Sequence, residues 1–149
     1  MKRVLYIGTA AMLLAGCMSL HEVRQTPPVR QAMTAGNYSI LANCVAEGLQ
    51  TARRTGDLLL EPGDLMYQVI QRSEQRRATV TGYAFGGNGQ IPLIDLTFTQ
   101  QQAGVLIETR LLRFQGADHP VPVTKGVDQR AWPIVETCAG GNVVPMPAG

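Results

Sequence analysis

The stretch PLIDLTFTQQQAGVLIETRLLRF, residues 92–114, decides the fold because it contains two alternating segments joined by a short turn. In the first segment Ile94, Leu96 and Phe98 alternate with polar residues, which is the period of a strand with one buried face. The second segment alternates in the same way after a connection at residues 101–104. Because so short a connection cannot hold a crossover helix, the two strands must pair as an antiparallel hairpin.

The register of this hairpin brings polar residues together on one face of the predicted sheet. If the turn centres on Gln102 and Ala103, Asp95 lies opposite Arg110, and an exposed pair of this kind contributes less than about 1 kcal/mol. We expect this face to be open to solvent and to bind a partner. Its candidate binding residues are Thr97, Thr99, Glu108 and Arg110.

Two more strands are predicted upstream of the hairpin. Residues 65–71 and 78–85 are rich in Val, Ile, Thr, Tyr and Phe and alternate at period two. Residues 73–75 join these two strands, and the glycine-rich residues 86–89 join the second of them to the hairpin. The glycine-rich segment leads into a strand, whereas a phosphate-binding loop must open a helix, so we interpret it as a turn.

Two helices are predicted to flank the four strands. Asn37 is a good N-cap, and Leu41, Val45 and Leu49 follow it at helical spacing. Near the other end, Pro133 is expected to begin a short helix that ends at about Cys138, since proline is tolerated in a first helical turn. The sequence therefore predicts an α+β fold with two layers, in which a four-stranded antiparallel sheet is covered on one face by both helices in the order αββββα.

The first residues of the chain have the features of an export signal. Lys2 and Arg3 precede an apolar run, Val4 to Leu14, that is too short to span a bilayer, and Leu14-Ala15-Gly16-Cys17 follows. This stretch resembles the signal sequence of bacterial lipoproteins. The resemblance implies cleavage before Cys17, a diacylglycerol thioether on its sulfur and an acylated amino terminus, so that membrane lipid is the first expected partner. The alternative is an ordinary secretory signal with a coincidental cysteine.

The residue after the cysteine bears on the expected location. In enteric-type sorting an aspartate at that position would favour retention in the inner membrane, and Met18 stands there instead. We therefore expect a lipid anchor in the outer membrane, with either face of that membrane possible.

The charge balance argues against nucleic acid as a partner. Cleavage before Cys17 would remove Lys2 and Arg3, so the 13 basic and 11 acidic residues of the chain would become 11 and 11. A neutral chain without a block of Lys and Arg lacks the basic surface that binds phosphate backbones. The densest basic cluster is interpreted as a solvated turn; it consists of Arg72, Arg76 and Arg77.

Cys44 and Cys138 are the cysteines that follow Cys17, and an exported chain meets an oxidising compartment. An even count there favours a disulfide, which would stabilise the fold by roughly 4 kcal/mol in the chain-entropy model. Two buried free thiols or a metal site are the alternatives. A metal site needs three or four ligands, and His21 and His119 stand alone in the sequence, so neither a metal nor another cofactor is expected.

The predicted elements divide the chain into four parts. Residues 1–16 form the signal peptide, and residues 17–36, which contain two consecutive prolines, are expected to form a lipidated, flexible tether. Residues 37–139 form one α+β domain. Residues 140–149, which begin with two glycines and contain two prolines, are expected to form a flexible tail.

The predicted domain also has a loose family resemblance. Residues 43–49, Asn-Cys-Val-Ala-Glu-Gly-Leu, resemble a helical segment that precedes an antiparallel sheet in short lipoproteins of Gram-negative bacteria. That group has no assigned activity. The resemblance therefore supports the fold and does not imply a reaction.

We expect a non-catalytic binding or structural module of the envelope whose partner is another envelope protein, a glycan or a host molecule. The first alternative is an envelope hydrolase, or an inhibitor of one, that uses the loop Gly116–Gly126 with Asp118 and His119. The second is a carrier of an apolar ligand, which would require a cavity between the helices and the sheet.

Overall fold

The computed structural model describes residues 20–52, 62–87, 89–113 and 118–147 of the chain. The predicted signal peptide and Cys17 lie outside these residues. The predicted α+β architecture with an antiparallel sheet is confirmed. In chain order the helices and strands of the described part are α1 (Leu20–Gln25), β1 (Arg30–Thr34), α2 (Tyr38–Thr51), β2 (Met66–Arg72), β3 (Arg77–Gly86), β4 (Gly89–Gln101), β5 (Gly104–Leu111), α3 (Pro122–Cys138) and β6 (Val144–Met146).

The predicted hairpin forms the centre of the sheet, whose strand order is β2-β3-β4-β5-β1-β6. All neighbouring strands are antiparallel. Asp95 lies opposite Arg110, which confirms the predicted register. Ile94, Leu96 and Phe98 are buried on the face that carries α2 and α3, which we call the helix face.

The prediction of four strands was wrong, because the sheet has six in the described part. Strand β1 comes from the segment predicted to be a flexible tether, and β6 comes from the predicted flexible tail. Strand β1, with the sequence RQAMT, has no β-branched residue before Thr34 and no aromatic one, so its local preference for a strand is weak. Its place is set instead by the edge of β5, whose backbone groups need partners.

Gly104 shows how closely β1 approaches this hairpin. Its φ is +144°, and a Cβ at this position would collide with the carbonyl oxygen of Thr34 in β1. The glycine therefore serves both the turn between β4 and β5 and the close passage of the added strand.

Helix α2 forms as predicted. The Asn37 side chain accepts hydrogen bonds from the backbone N–H groups of Ser39 and Ile40 at 2.9 and 3.2 Å, and Leu41, Val45 and Leu49 are buried. These apolar residues face the sheet because they repeat every four positions on one side of the helix. The helix face is thereby covered along β2, β3 and β4.

Helix α3 is longer than predicted, since it begins at Pro122 and contains Pro133 in its interior. Pro122, and not Pro133, occupies the first turn. An interior proline removes one backbone hydrogen bond, but Val127, Ala131 and Val135 are buried on one side of α3 and hold it in place.

The predicted disulfide between Cys44 and Cys138 is confirmed and joins α2 to α3, with an S–S distance of 2.07 Å. The two helices approach closely beside it, because a Cβ at Gly48 would lie 2.5 Å from Cγ2 of Ile134. The bridge therefore locks two helices that already touch.

Helix α1 lies on the opposite face of the sheet, against β4 and β5, so the prediction that helices cover only one face was wrong. In α1 only Val23 is buried, with 1% of its surface exposed. One apolar residue forms no helical repeat, so the sequence pattern did not predict this helix. No helix of the described ranges has both the length and the apolar character required to cross a bilayer.

Candidate functional site

The predicted binding residues all lie on the face of the sheet that α1 partly covers, which we call the polar face. Thr97 lies opposite Glu108, and Arg110 follows two residues later on the same strand, so these side chains share one side of the sheet. They are less open than predicted: Thr97 is 5% and Glu108 9% exposed, and Thr99 is half-buried. The prediction of a fully solvated face was wrong because α1 covers part of it and because β1 pairs beside β5, where Gln31 donates to Glu108.

A buried carboxylate connects α1 to this face. Asp95 is 1% exposed; it accepts a hydrogen bond from the Thr81 hydroxyl at 2.6 Å and one from Nε of Arg24 at 3.4 Å. Its register neighbour Arg110 bonds elsewhere, to Glu108 at 3.2 Å and to the Thr26 carbonyl at 3.1 Å. The cation that serves Asp95 therefore comes from α1, a segment that was predicted to be a tether.

Beside this network the polar face forms a groove of about 210 Å³. We call it the arginine groove, because four arginines converge on it from α1, β2, β3 and β5. Its lining residues are Arg24, Ile70, Arg72, Gln75, Arg77, Thr79, Thr97 and Arg110.

The charges of the groove are only partly compensated. Arg24 and Arg110 have the acid partners Asp95 and Glu108. Arg77 donates from Nε to the Thr99 hydroxyl at 3.2 Å, and neither Arg77 nor Arg72 has an acid partner within the described ranges. Two positive charges thus remain without a nearby counter-charge among the lining arginines.

Arg72 and Arg77 also face each other directly, since they form the last pair of the β2–β3 hairpin. Like charges directly opposite each other on neighbouring strands destabilise a sheet. The connection Ser73–Gln75 forms a 3₁₀ turn that ends at Arg76, a residue with a positive φ of 48°, and it holds this pair in register. A cleft lined by charges of one sign raises the local concentration of ions of the opposite sign, as an anion-binding site requires.

The floor of the groove offers hydroxyl groups without partners. Thr79 and Thr97 are 8% and 5% exposed, and within the described part neither side chain makes a hydrogen bond. A ligand oxygen in the groove could therefore accept from hydroxyls as well as from guanidinium groups. Hydrogen bonds to a charged group are roughly twice as strong as those between neutral groups, and the guanidinium of arginine matches the geometry of carboxylate and phosphate.

A second charged cluster, which contains one arginine, lies on the helix face. Arg30 of β1 donates to Asp128 of α3 at 2.8 Å, and its guanidinium lies 4.5 Å from the ring centroid of Trp132. Asp128 is 7% exposed. This cluster joins the added strand to α3, and sequence analysis missed it because Arg30 stood in the predicted tether.

The residues of the hydrolase alternative do not form a site in the described part of the chain. Asp118 and His119 are exposed, and neither side chain makes a hydrogen bond there; only the Asp118 carbonyl accepts one, from Arg113 at 2.7 Å. Residues 122–126 of the predicted loop Gly116–Gly126 belong to α3, and residues 116–117 lie outside the described ranges. Within the same ranges no three of His, Cys, Asp and Glu come together as metal ligands would.

The layer between the helices and the sheet is occupied by fully buried side chains, the largest of which include Leu49, Leu96 and Phe98. This packing offers no support for a carrier of an apolar ligand, which would need an open cavity there.

Sequence analysis identified two lining residues of the groove, Thr97 and Arg110, and placed them on the correct face of the sheet. Arg72 and Arg77 were interpreted as a solvated turn, although the alternation on either side of residues 73–76 already placed them opposite each other. Arg24 carried no signal, because nothing local indicates that α1 folds onto β4.

Comparison with models of known protein families finds no match, and comparisons with curated proteins and with solved structures find none either. The candidate function therefore rests on the residues and geometry of the chain itself.

Proposed function

We propose that the protein is an exported, lipid-anchored envelope protein that acts as a non-catalytic binding module, and that the arginine groove is its binding surface for an anionic ligand. The observation that carries the binding part is the opposed pair Arg72 and Arg77, two cations without acid partners in the described part, set above unbonded threonine hydroxyls.

Two features support export and anchorage. The sequence Leu14-Ala15-Gly16-Cys17 resembles a lipoprotein cleavage site, and its cysteine would carry the lipid. The Cys44–Cys138 disulfide fits an oxidising compartment outside the cytoplasm. An outer-membrane location follows from the absence of aspartate after Cys17 and is proposed on that ground alone.

The lining of the groove supports binding more than catalysis. Its polar groups are guanidinium, hydroxyl and amide groups, which donate hydrogen bonds and orient an anion. A general base or a nucleophile with an activating partner would be expected in an active site, and the described lining residues provide neither.

The anchor is tested by growing cells that express the full chain on radiolabelled palmitate. The wild-type chain is expected to incorporate label and to lose its leader, and Cys17→Ala is expected to do neither. Unlabelled wild-type protein would refute the anchor.

The binding surface is tested by calorimetric titration of the detergent-solubilised full chain with inorganic phosphate. We expect saturable binding that R72Q/R77Q weakens at least about tenfold, as expected for the loss of two charge-assisted contacts. The matched control R76Q/K125Q removes two exposed cations that do not line the groove and should bind as the wild type does. Equal binding by all three proteins would refute the groove as the site.

A further inference from the structure

We infer that, in the anchored protein, the arginine groove faces the bilayer and binds the phosphate groups of lipid headgroups. This inference rests on the proposed lipidation of Cys17. It adds to the proposed function a ligand class and an orientation of the protein on the membrane.

The covalent distance between the proposed anchor and the groove is short. Only Met18 and Ser19 separate Cys17 from Leu20, the first residue of α1. Because consecutive Cα atoms are about 3.8 Å apart, the Cα atoms of Cys17 and Leu20 are at most about 11 Å apart. Arg24, which lines the groove, follows one helical turn later, a further rise of about 6 Å.

This separation is much shorter than the flexible tether that the sequence predicted between Cys17 and the domain. A flexible tether over residues 17–36 would have allowed the domain to stand several nanometres from the lipid. Since α1 and β1 are part of the fold, the element of the described fold nearest in sequence to Cys17 is α1, which lies on the polar face. The acyl chains would therefore hold this face, and not the helix face, towards the headgroups.

The charge of the groove suits phosphate. The lining arginines and the two acids bonded to them leave two positive charges uncompensated. Two phosphodiester headgroups, or one phosphomonoester with a charge of about −1.5 to −2, would neutralise them. Basic residues held near an anionic leaflet attract it over about a Debye length, a distance comparable to the gap set by the anchor.

The size of the groove points to headgroups. Its volume of about 210 Å³ lies below the range of roughly 300–1,000 Å³ that encloses a drug-sized molecule. A single phosphate group on a larger body can enter such a groove while the rest of the lipid stays in the bilayer. Free inorganic phosphate has the same oxyanion chemistry, and the experiment below separates the two sources.

The experiment measures co-sedimentation of the full chain with vesicles in the Cys17→Ala background, which removes the acyl chains. Vesicles of phosphatidylcholine are compared with vesicles that contain phosphatidylglycerol. Three proteins are compared: C17A, C17A/R72Q/R77Q and the charge-matched control C17A/R76Q/K125Q. Because all three keep the same leader, differences between them arise from the substituted cations. Circular dichroism melts establish that each is folded.

We expect C17A and the control to bind the phosphatidylglycerol vesicles more strongly than the phosphatidylcholine vesicles, and this preference should fall as salt is raised. The partition coefficient of C17A/R72Q/R77Q on the phosphatidylglycerol vesicles should be at least about tenfold lower than that of C17A. Equal partition of the groove variant and the control would overturn the inference. Saturable binding of inorganic phosphate together with equal partition would assign the groove to free phosphate and would overturn it as well. A chain that takes up no palmitate would refute the anchor, and this result is separate from the vesicle result.

Discussion

The two faces of the sheet use arginine in opposite ways. On the helix face the Arg30 guanidinium has a carboxylate at 2.8 Å from Nη2 and an aromatic ring at 4.5 Å, so its charge is compensated within the protein, although its buried Nε has no hydrogen-bond partner in the described part. On the polar face Arg72 stands opposite Arg77, and neither has an acid partner within the described ranges. The first arrangement joins β1 to α3, whereas the second leaves two cations that the proposed anionic ligand would neutralise.

This difference separates stability from binding within one sheet. Substitutions on the helix face should lower the free energy of unfolding without removing a ligand site. Substitutions of the opposed arginines should leave that free energy unchanged or raise it, because they relieve repulsion. Four predictions test the contrast, from the largest expected effect to the smallest.

The largest effect is expected from the disulfide on the helix face. C44S/C138S should lower the free energy of unfolding by about 3–4 kcal/mol, because the bridge closes a sequence separation of 94 residues and its loss frees the unfolded chain. Urea unfolding of the oxidised wild type and the double variant measures this loss. A loss below about 1 kcal/mol would mean that packing of α2 on α3 holds the helix layer without the bridge.

The next effect concerns the Arg30 cluster. R30Q should lower the free energy of unfolding by about 2 kcal/mol, because Asp128 would stay buried without its cation. The value is below that of a fully buried pair because the Arg30 side chain is 35% exposed. R30K keeps the charge but not the planar contact with Trp132, so it should lower the free energy of unfolding by less than R30Q does. Equal losses in the two variants would contradict a role for the charge.

The buried phenol of Tyr67 on the helix face should contribute less to the free energy of unfolding, and its contribution should depend on pH. The Tyr67 hydroxyl donates to the Pro62 carbonyl at 2.8 Å, and burial, with a further contribution from the Asp64 carboxylate, raises the pKa of this phenol well above its usual value. The fold therefore favours the protonated form, and the resulting stability is fully present below about pH 10 and is lost as the pH rises beyond it.

Y67F should lower the free energy of unfolding at pH 7 by about 1 kcal/mol through the lost hydrogen bond. Urea unfolding at a series of pH values up to 11 should show that the wild type loses stability above pH 10 more steeply than Y67F does. Parallel curves for the two proteins would show that the phenol is not held in its neutral form.

The smallest effect on stability, and one of opposite sign, is expected in the groove. R72E should raise the free energy of unfolding by about 0.5–1 kcal/mol, because it converts a like-charge pair with Arg77 into an attractive one. R76E, one residue beyond the turn and outside the groove lining, is the control and should change it less. Destabilisation by R72E would show that the opposed arginines are structural.

The parts of the fold that the sequence predicted are those whose signals are local. The β4–β5 hairpin follows from strict alternation on both sides of Gln101–Gly104, and α2 follows from the Asn37 cap and its apolar stripe. The start of α3 was misplaced because an interior Pro133 resembles a first-turn proline. Strands β1 and β6 have little strand preference of their own. Strand β1 pairs with the distant edge of β5, and β6 in turn pairs with β1.

The candidate site divides in the same way. Alternation placed Thr97 and Arg110 on one face, and it could have placed Arg72 opposite Arg77 had the turn at residues 73–76 been counted through. Arg24 could not have been found, because its position depends on a part-buried ion pair with Asp95 across 71 residues of sequence. A site assembled from four separate elements leaves no single motif in the chain.

The most direct measurement is the melting temperature of the wild type and R72Q/R77Q in chloride and in phosphate at equal ionic strength. In chloride the double variant should melt at the same temperature as the wild type or slightly higher, because repulsion is relieved. In phosphate the melting temperature of the wild type should rise above that of R72Q/R77Q, since a ligand that binds only the folded state stabilises that state. If phosphate shifts both proteins equally, the opposed arginines do not bind anions, and the central claim is contradicted.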